Sequence, residues 1–262
     1  MFLNRIKLLI TRYLKARSFG FLFFAARFFK IPKSINIDNK IIKLNLPDEY
    51  SIKISIVEIL LDDTYKLDWI KNFTRKNNID IKSILDIGGN CGLTSMLLRS
   101  HFSKSIIHCY EPNLKIINYL KYHAEHLKFN YYSEAVGGNK SKVKLNITQN
   151  DSVLSYILPD EIGTTDQISF DMAFKRFGKD NLDIVKMDCE GSEWEIFNHI
   201  EIWKKVKFLT MEYHLGENNF DHIRIVDALN KIGFRLITKL DNNKNVNYGM
   251  VLAYNTSLIS LN

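Results

Sequence analysis

The chain has 262 residues, of which 46% are hydrophobic and 25% charged, and this composition indicates an ordinary globular protein rather than a disordered one. Its three cysteines are scattered and form no CxxC pair, which argues against a disulfide framework or a zinc site and favours a cytoplasmic location. The net charge of +7 comes from residues 1–33, which carry eight Lys or Arg and no acid. Removing those eight from the 36 basic residues leaves 28 against 29 acids, and a near-neutral main domain argues against a nucleic-acid partner.

Residues 1–40 are predicted to form a basic, aromatic and helical N-terminal arm. The longest uncharged run of the arm, residues 18–26, is too short to span a bilayer, which takes about twenty residues. The long charged region before that run also argues against a secretory signal. Two interpretations stay open: helices of the arm pack on the main domain, or residues 1–33 lie on the inner membrane surface as a peripheral contact.

Residues 41–262 are predicted to form one α/β domain with a leading hairpin and helix. Apolar and polar residues alternate over 41–60 around a Pro-Asp turn signal, which predicts the hairpin, and residues 63–77 have the apolar spacing of a helix.

Apolar strands then alternate with helical segments, including one predicted to begin at Pro112, and the last two strands are joined by a short polar turn. This order predicts a mostly parallel, doubly wound sheet with a C-terminal antiparallel hairpin. The five main strands are predicted at 83–87, 105–111, 129–136, 183–190 and 206–214.

The stretch SILDIGGNCGLTSMLL, residues 83–98, places three glycines where the first of these strands leads into a helix. Glycine and asparagine tolerate left-handed backbone conformations, and ligands of doubly wound sheets bind beyond the carboxyl ends of the strands. The dinucleotide fingerprint GxGxxG fails, because Asn90 and Leu93 occupy two of its glycine positions. The turn therefore suits a nucleoside ligand without a pyrophosphate. Glu111, which ends the next strand, could accept hydrogen bonds from a ribose or could simply cap the following helix.

Four motifs in this order, LDIGGNCG, YEPN, EAVGG and VKMDCEGSEWEIF, resemble the FkbM family of S-adenosylmethionine-dependent methyltransferases. The resemblance extends over about residues 55–255, with Gly89 and Ser192 standing where the family has alanine. It implies a Rossmann-like class I methyltransferase fold and S-adenosyl-L-methionine as the cofactor.

The same resemblance implies which residues would surround the cofactor and the acceptor. The methionine part of the cofactor would be held by Asp86, Gly88, Asn90 and Gly92, the ribose by Glu111 with Asn113 nearby, and the adenine by Glu134, Ala135 and Val136. Ser152 or Ser155 would border the cofactor or the acceptor.

Ionisable side chains at the ends of two neighbouring strands are the candidate catalytic residues, namely Asp188, Glu190, Glu212 and His214. Such groups cost several kcal/mol each when they are buried without partners, so a cluster of them favours a functional role. A carboxylate or histidine here could remove the proton of a hydroxyl acceptor. Glu193 and Glu195 are expected to form a solvated helix face. No metal site is predicted, although two carboxylates and His214 could also bind a divalent cation.

The sequence therefore predicts an S-adenosylmethionine-dependent methyltransferase that acts on a hydroxyl of a sugar, glycan, glycolipid or natural product. The partner would be a small-molecule or glycan acceptor. The alternatives are a non-catalytic cofactor-binding subunit and a methyltransferase that acts on nitrogen or on a protein. Neither the acceptor nor the oligomeric state follows from the sequence.

Overall fold

The computed structural model describes residues 2–25, 28–138, 142–147, 155–158, 163–189, 191–215, 222–239 and 246–259. The helices in these ranges are α1 (Phe2–Ser18), α2 (Tyr50–Ile56), α3 (Leu67–Lys76), α4 (Leu93–His101), α5 (Ile117–Leu127), α6 (Phe170–Lys175), α7 (Glu193–Ile196), α8 (Ile200–Trp203) and α9 (Ile223–Lys231). A π-helical turn, Val57–Leu61, continues α2. The strands are β1 (Ser34–Ile37), β2 (Lys40–Lys43), β3 (Ser83–Ile87), β4 (Ile106–Tyr110), β5 (Asn130–Tyr132), β6 (Ala135–Gly137), β7 (Lys142–Ile147), β8 (Ser155–Leu158), β9 (Thr165–Ser169), β10 (Leu182–Met187), β11 (Val206–His214), β12 (Phe234–Leu236) and β13 (Tyr248–Asn255).

A seven-stranded sheet in the order β12-β13-β11-β10-β3-β4-β5 forms the centre of the protein. The strands from β11 to β5 in this order are parallel, and β13 is antiparallel to both β11 and β12. Strand order reverses between β3 and β10, since the chain builds β4 and β5 on one side of β3 and returns to the other side with β10. The predicted Rossmann-like, doubly wound fold with an antiparallel C-terminal hairpin is confirmed.

Each face of the sheet packs against its own hydrophobic core. Successive residues of β3 point to opposite faces, so that Ile84 lies in one core and Leu85 in the other. The first core is completed by α2 to α5 and the second by α6 to α9. Both faces of the parallel strands are therefore shielded from solvent, which explains why all five residues of β3 are buried.

A row of polar side chains crosses the buried sheet near its carboxyl end. Asp86 of β3 lies in register with Cys109 of β4 on one side and Lys186 of β10 on the other, and Lys186 is in register with Thr210 of β11. All four residues are almost fully buried. Polar groups at this depth need partners, and the row connects the strands just behind the edge where ligands of this fold bind.

The predicted hairpin over residues 41–60 is wrong. The first hairpin lies earlier and turns at Asp38 and Asn39, whose φ angles of 49° and 63° suit a tight turn between β1 and β2. Residues 50–61 are helical instead, and Ile52 and Ile56 of this segment are buried at helical spacing. In a short apolar run the two periodicities overlap, and packing on the core favours the helix.

Two further element boundaries differ from the prediction. The strand predicted over 129–136 is two strands: β5 pairs with β4, while β6 joins a separate four-stranded sheet, β6-β9-β7-β8. The helix predicted from Pro112 begins only at Ile117, because the side chain of Asn113 accepts a hydrogen bond from the backbone N of Lys115 and closes a turn first.

In residues 2–25 and 28–40, the described part of the N-terminal arm, the helix is α1, which packs on the π-helical turn. Beyond α1, Phe21, Phe23 and Phe29 are buried in the first core. Among the described residues there is no helix with the length and apolar character needed to cross a bilayer.

Candidate active site

A cavity of about 400 Å³ lies beyond the carboxyl ends of β3 and β10, at the position where strand order reverses. The turn after β3 forms one side of it, and residues from α2 and the π-helical turn form another. This is the place where doubly wound sheets bind their ligands.

The turn after β3 is built from residues with positive φ angles: 75° at Gly88, 49° at Asn90 and 86° at Gly92. The backbone N–H groups of Gly88 and Gly89 both donate to the carbonyl of Tyr110, each at 3.0 Å. A β-carbon at Gly88 would overlap the carbonyl oxygen of Asp188. Glycine is therefore required at this position because the ends of two strands approach closely, and not only to make room for a ligand.

Gly89 has a separate reason to lack a side chain. A β-carbon on Gly89 would overlap the sulfur of Cys109, which is fully buried on the neighbouring strand. The larger cysteine on β4 and the glycine in the turn thus complement each other, which gives a physical reason for glycine at a position where alanine was expected.

Glu111 holds the turn from the end of β4. Its two carboxylate oxygens accept hydrogen bonds from the backbone N of Asn90 at 2.9 Å and of Asn113 at 2.8 Å. Burial raises the pKa of Glu111 to about 7, although both backbone hydrogen bonds act in the opposite direction. A carboxylate has roughly four lone-pair positions, so those on the cavity side remain for a ligand. Glu111 does not cap the following helix, α5, whose N-cap is Ile116, and its role in the turn is compatible with ligand binding.

Lys186 is the buried cation of the site. Its Nζ donates to the carbonyl of Gly88 at 2.6 Å and lies 3.3 Å from Asp86 Oδ1 and 4.0 Å from Asp188 Oδ2. Burial alone would lower the pKa of Lys186, but the charges of Asp86 and Asp188 outweigh it and raise the pKa above its ordinary value. Lys186 therefore stays protonated and connects the glycine turn to two carboxylates.

Asp188 projects into the cavity from the end of β10. Its Oδ2 accepts a hydrogen bond of 2.6 Å from the hydroxyl of Tyr65, whose ring is also 5.0 Å from Lys186 Nζ. Tyr65 is positioned in turn by its backbone carbonyl, which accepts a 2.6 Å hydrogen bond from Thr210. Glu58 lines the same cavity, and its pKa is raised by burial and by the neighbouring charge of Asp188.

A chain of ionisable groups connects the cavity to the interior. Glu212 lines the cavity, and its Oε1 lies 3.6 Å from Nε2 of His214. The other ring nitrogen of His214 lies 2.9 Å from Oε1 of Glu193. Glu193 is fully buried, so its expected place on a solvated helix face is wrong, whereas Glu195 is exposed as expected.

The predicted cofactor residues fall into two groups. Asp86 and Asn113 are fully buried and do not line the cavity, and Gly92 also lies behind it. Asp86 instead accepts a 2.6 Å hydrogen bond from Ser95 on α4. The predicted cofactor residues that do line the cavity are Gly88, Asn90, Glu111, Glu134, Ala135 and Val136. The carboxylate of Glu134 is bound by Arg176.

The predicted catalytic residues are also divided. Asp188 and Glu212 line the cavity. His214 does not line it but contacts Glu212. Glu190 and Ser152 lie outside the described residues. For the part of the chain that is described, no cluster of three or more His, Cys, Asp or Glu has the arrangement of a metal site.

Sequence reasoning missed three residues of the site: Glu58, Tyr65 and Lys186. Two of them carry a signal that could have been used, since Lys186 and Glu58 are charged residues inside apolar runs, DIVKM and IVEIL. Tyr65 carries none, because it matched the apolar face of a predicted helix.

A comparison with family models matches residues 86–236, more than half of the chain, to the methyltransferase FkbM domain. A comparison with curated proteins finds no match.

Solved structures with a similar course of the chain include three methyltransferases. Magnesium protoporphyrin IX methyltransferase from Synechocystis PCC 6803, solved with bound SAM, is 9% identical, with 80% of this chain and 85% of that chain covered and a TM-score of 0.44. Precorrin-6y C5,15-methyltransferase from Geobacter metallireducens GS-15 is 10% identical, with 67% and 80% covered and a TM-score of 0.39. An O-methyltransferase family protein from Burkholderia thailandensis is 8% identical, with 78% and 57% covered and a TM-score of 0.44.

The family match begins at Asp86, at the end of β3, and runs through the glycine turn, Glu111 and Asp188 to the last residue of β12. It confirms the resemblance that the four motifs indicate. The chain belongs to the FkbM family of S-adenosylmethionine-dependent methyltransferases.

Proposed function

We propose that the protein transfers the methyl group of S-adenosylmethionine to a hydroxyl oxygen of a sugar, glycan, glycolipid or natural product. The observation that carries this proposal is the carboxylate of Asp188, which faces the cavity and is oriented by the hydroxyl of Tyr65 at 2.6 Å. An oriented carboxylate beside a bound hydroxyl can accept its proton.

The charges that line the cavity suit a cationic methyl donor. Among the described residues, five carboxylates and one ammonium line it: Glu58, Glu111, Glu134, Asp188, Glu212 and Lys186. A negative cleft with low-dielectric walls attracts a cationic ligand such as a sulfonium. When bound, S-adenosylmethionine supplies a methyl group that is activated by the positive sulfur.

The individual parts of the cofactor would be held by the residues that line the cavity. The free lone pairs of Glu111 would accept hydrogen bonds from the ribose hydroxyls, and Ala135 and Val136 would pack against the adenine. Gly88 and Asn90 would lie along the methionine part. Asp86, Gly92 and Asn113 would act behind them, by holding the shape of the turn.

The chain contributes position, a water-poor pocket and a proton acceptor. In the proposed transfer the acceptor oxygen would form a bond to the methyl carbon as the carbon–sulfur bond breaks, and Asp188 would accept the hydroxyl proton. Tyr65 keeps the Asp188 carboxylate oriented, while Lys186 balances part of its charge. Positioning alone can supply about 7–11 kcal/mol, and a base contributes about a hundredfold or more.

The test is methyl transfer by the full-length protein from labelled S-adenosylmethionine to extracts of glycans, glycolipids and hydroxylated natural products, read by product mass spectrometry. Asp188→Asn preserves the shape of the side chain and is expected to lower turnover about a hundredfold or more while S-adenosylhomocysteine binding is unchanged. Asp180→Asn, at an exposed carboxylate, is the matched control and should behave like wild type.

The alternatives give different results. A methylated nitrogen or protein in the product spectrum would contradict the hydroxyl acceptor. Tight S-adenosylhomocysteine binding without any methylated product would indicate a non-catalytic cofactor-binding subunit. Full turnover by Asp188→Asn would show that this carboxylate is not the base.

A further inference from the structure

Helix α1 has an apolar face that points away from the protein. Apolar residues recur every three or four positions along it, which places them on one side of the helix. We call this side the outer face: Leu3, Ile6, Leu9, Ile10, Tyr13 and Leu14. All six side chains are exposed, with Leu3 at 81%, Leu14 at 61% and Ile10 at 54%. In a surface helix of a globular protein this side would normally face the core.

The orientation of α1 is set by its polar side. Arg12 donates to Asp62 at 2.8 Å, and Lys15 lies 3.1 Å from Asp68. Ala16, the next residue after Lys15, is fully buried. The helix is therefore attached to the domain by charged groups and one small residue, and this attachment leaves the outer face directed toward solvent.

The segment after α1 extends the outer face. Phe24 and Phe28 are 67% and 79% exposed, although Phe21, Phe23 and Phe29 around them are buried. The rings of Tyr13 and Phe24 lie 6.2 Å apart, so the apolar side chains of the helix and of this segment form one continuous surface. Exposed apolar surface of this extent marks a docking site.

The charges around this surface identify its partner. Among the described part of residues 1–33 the exposed cations are Arg5, Lys7, Arg17, Lys30 and Lys33, and residues 1–33 contain no acid. A second copy of the same surface would bring like charges together. An anionic bilayer surface instead offers phosphates and carboxylates to the cations and acyl chains to the apolar side chains.

We propose that α1 and the segment around Phe24 and Phe28 dock the protein on an anionic lipid bilayer, with the outer face in the interface between headgroups and acyl chains. Helix α1 packs on the π-helical turn, whose Glu58 lines the cavity. Docking would thus fix the bilayer beside the helical wall of the candidate active site. The inference rests on the arm alone and does not depend on the proposed function.

The test is sedimentation of the full-length protein with vesicles of phosphatidylcholine alone or mixed with phosphatidylserine. We expect binding to the mixed vesicles that weakens with added salt, and little binding to phosphatidylcholine alone. Equal binding to both, or binding to neither, would overturn the proposal.

The contribution of the outer face is tested by the triple variant Leu3→Ser, Ile10→Ser and Leu14→Ser, which changes only exposed side chains. It is expected to lower the partition onto mixed vesicles at least about tenfold, because it removes three buried aliphatic groups from the bound state. The matched control replaces equally exposed apolar residues outside the arm by serine and should bind like wild type. Its positions are Ile41, Leu114 and Met172, which are 78%, 68% and 50% exposed.

The contribution of charge is tested by Arg5→Gln with Lys7→Gln, against Lys104→Gln with Lys179→Gln outside the arm. Each cation near an anionic bilayer strengthens binding by about fivefold, so only the arm variant should bind at least about tenfold more weakly. Light scattering of the triple variant tests the alternative, which is self-association through the outer face. If that variant turns a wild-type oligomer into a monomer and leaves vesicle binding unchanged, the outer face is a contact between copies of this chain and the proposal is wrong.

Discussion

Lowering the pH from 8 to 6 is expected to weaken the binding of S-adenosylhomocysteine, because Glu111 gains a proton in this range. Its pKa is raised to about 7 by burial, from an ordinary value of 4.5. Ribose hydroxyls donate hydrogen bonds, so they bind best to the ionised carboxylate. Binding should therefore expel the proton, and affinity should rise as the pH rises through about 7.

The size of the effect follows from the pKa. A group with a pKa of about 7 is about one-tenth ionised at pH 6 and about nine-tenths ionised at pH 8. If the ligand requires the carboxylate, its apparent dissociation constant is about tenfold higher at pH 6 than at pH 8, or roughly 1.4 kcal/mol. The stability of the free protein depends on pH in the opposite direction from ligand affinity. Between pH 4.5 and about 7 the folded chain holds a proton that the unfolded chain has released, so Glu111 makes folding less favourable as the pH rises.

Calorimetric titration at both pH values, in two buffers of different ionisation enthalpy, measures the affinity and the released proton. Glu111→Gln cannot ionise, so its affinity should be lower than that of wild type at both pH values and should not differ between them. Glu134→Gln alters another carboxylate of the same cavity and should keep the wild-type pH dependence. The reasoning is refuted if wild type binds equally well at both pH values, or if Glu111→Gln retains the tenfold difference.

Two further variants test the packing around the site, each by urea unfolding. Gly89→Ala should cost about 1–3 kcal/mol through overlap with the sulfur of Cys109, and adding Cys109→Ala should recover much of the loss. A double variant no more stable than Gly89→Ala would contradict that contact. Lys186→Met should cost about 3–5 kcal/mol, because it leaves the buried carboxylate of Asp86 without its cation. Lys204→Met, at an exposed ion pair, should stay within about 0.5 kcal/mol, and a similarly small loss for Lys186→Met would show that the buried network is not needed for stability.

The sequence was most informative where the site is formed by residues that are close together along the chain. The end of β3, the glycines after it and Glu111 at the next strand end could be located because strand length and turn chemistry are local properties. The structural reason why these positions must be glycine could not be predicted in the same way. Gly88 and Gly89 are required by Asp188 and Cys109, which come from other strands and meet the turn only in the folded chain.

The errors arose where tertiary contacts override a local pattern. Glu193 has the spacing of an exposed helix position, yet it is buried because His214 on β11 provides its partner. Tyr65 lies 123 positions from Asp188, and its apolar ring fits a helical pattern that conceals the hydroxyl. Residues 50–61 satisfy both strand and helix periodicity, and only their packing against the first core decides between the two.

The π-helical turn at Val57–Leu61 lies between the cavity and the N-terminal arm. One end of the turn carries Glu58 into the cavity, and its i→i+5 hydrogen bond, from the backbone N of Asp62 to the carbonyl of Val57 at 2.8 Å, presents Asp62 to Arg12. The extra residue of a π-helical turn is accommodated as a wider loop of the helix, so loss of a single residue here would tighten the segment into an ordinary α-helix with little rotation of what precedes it. The wide turn is thus a place where the chain can lose one residue while the arm keeps its direction relative to the wall of the site.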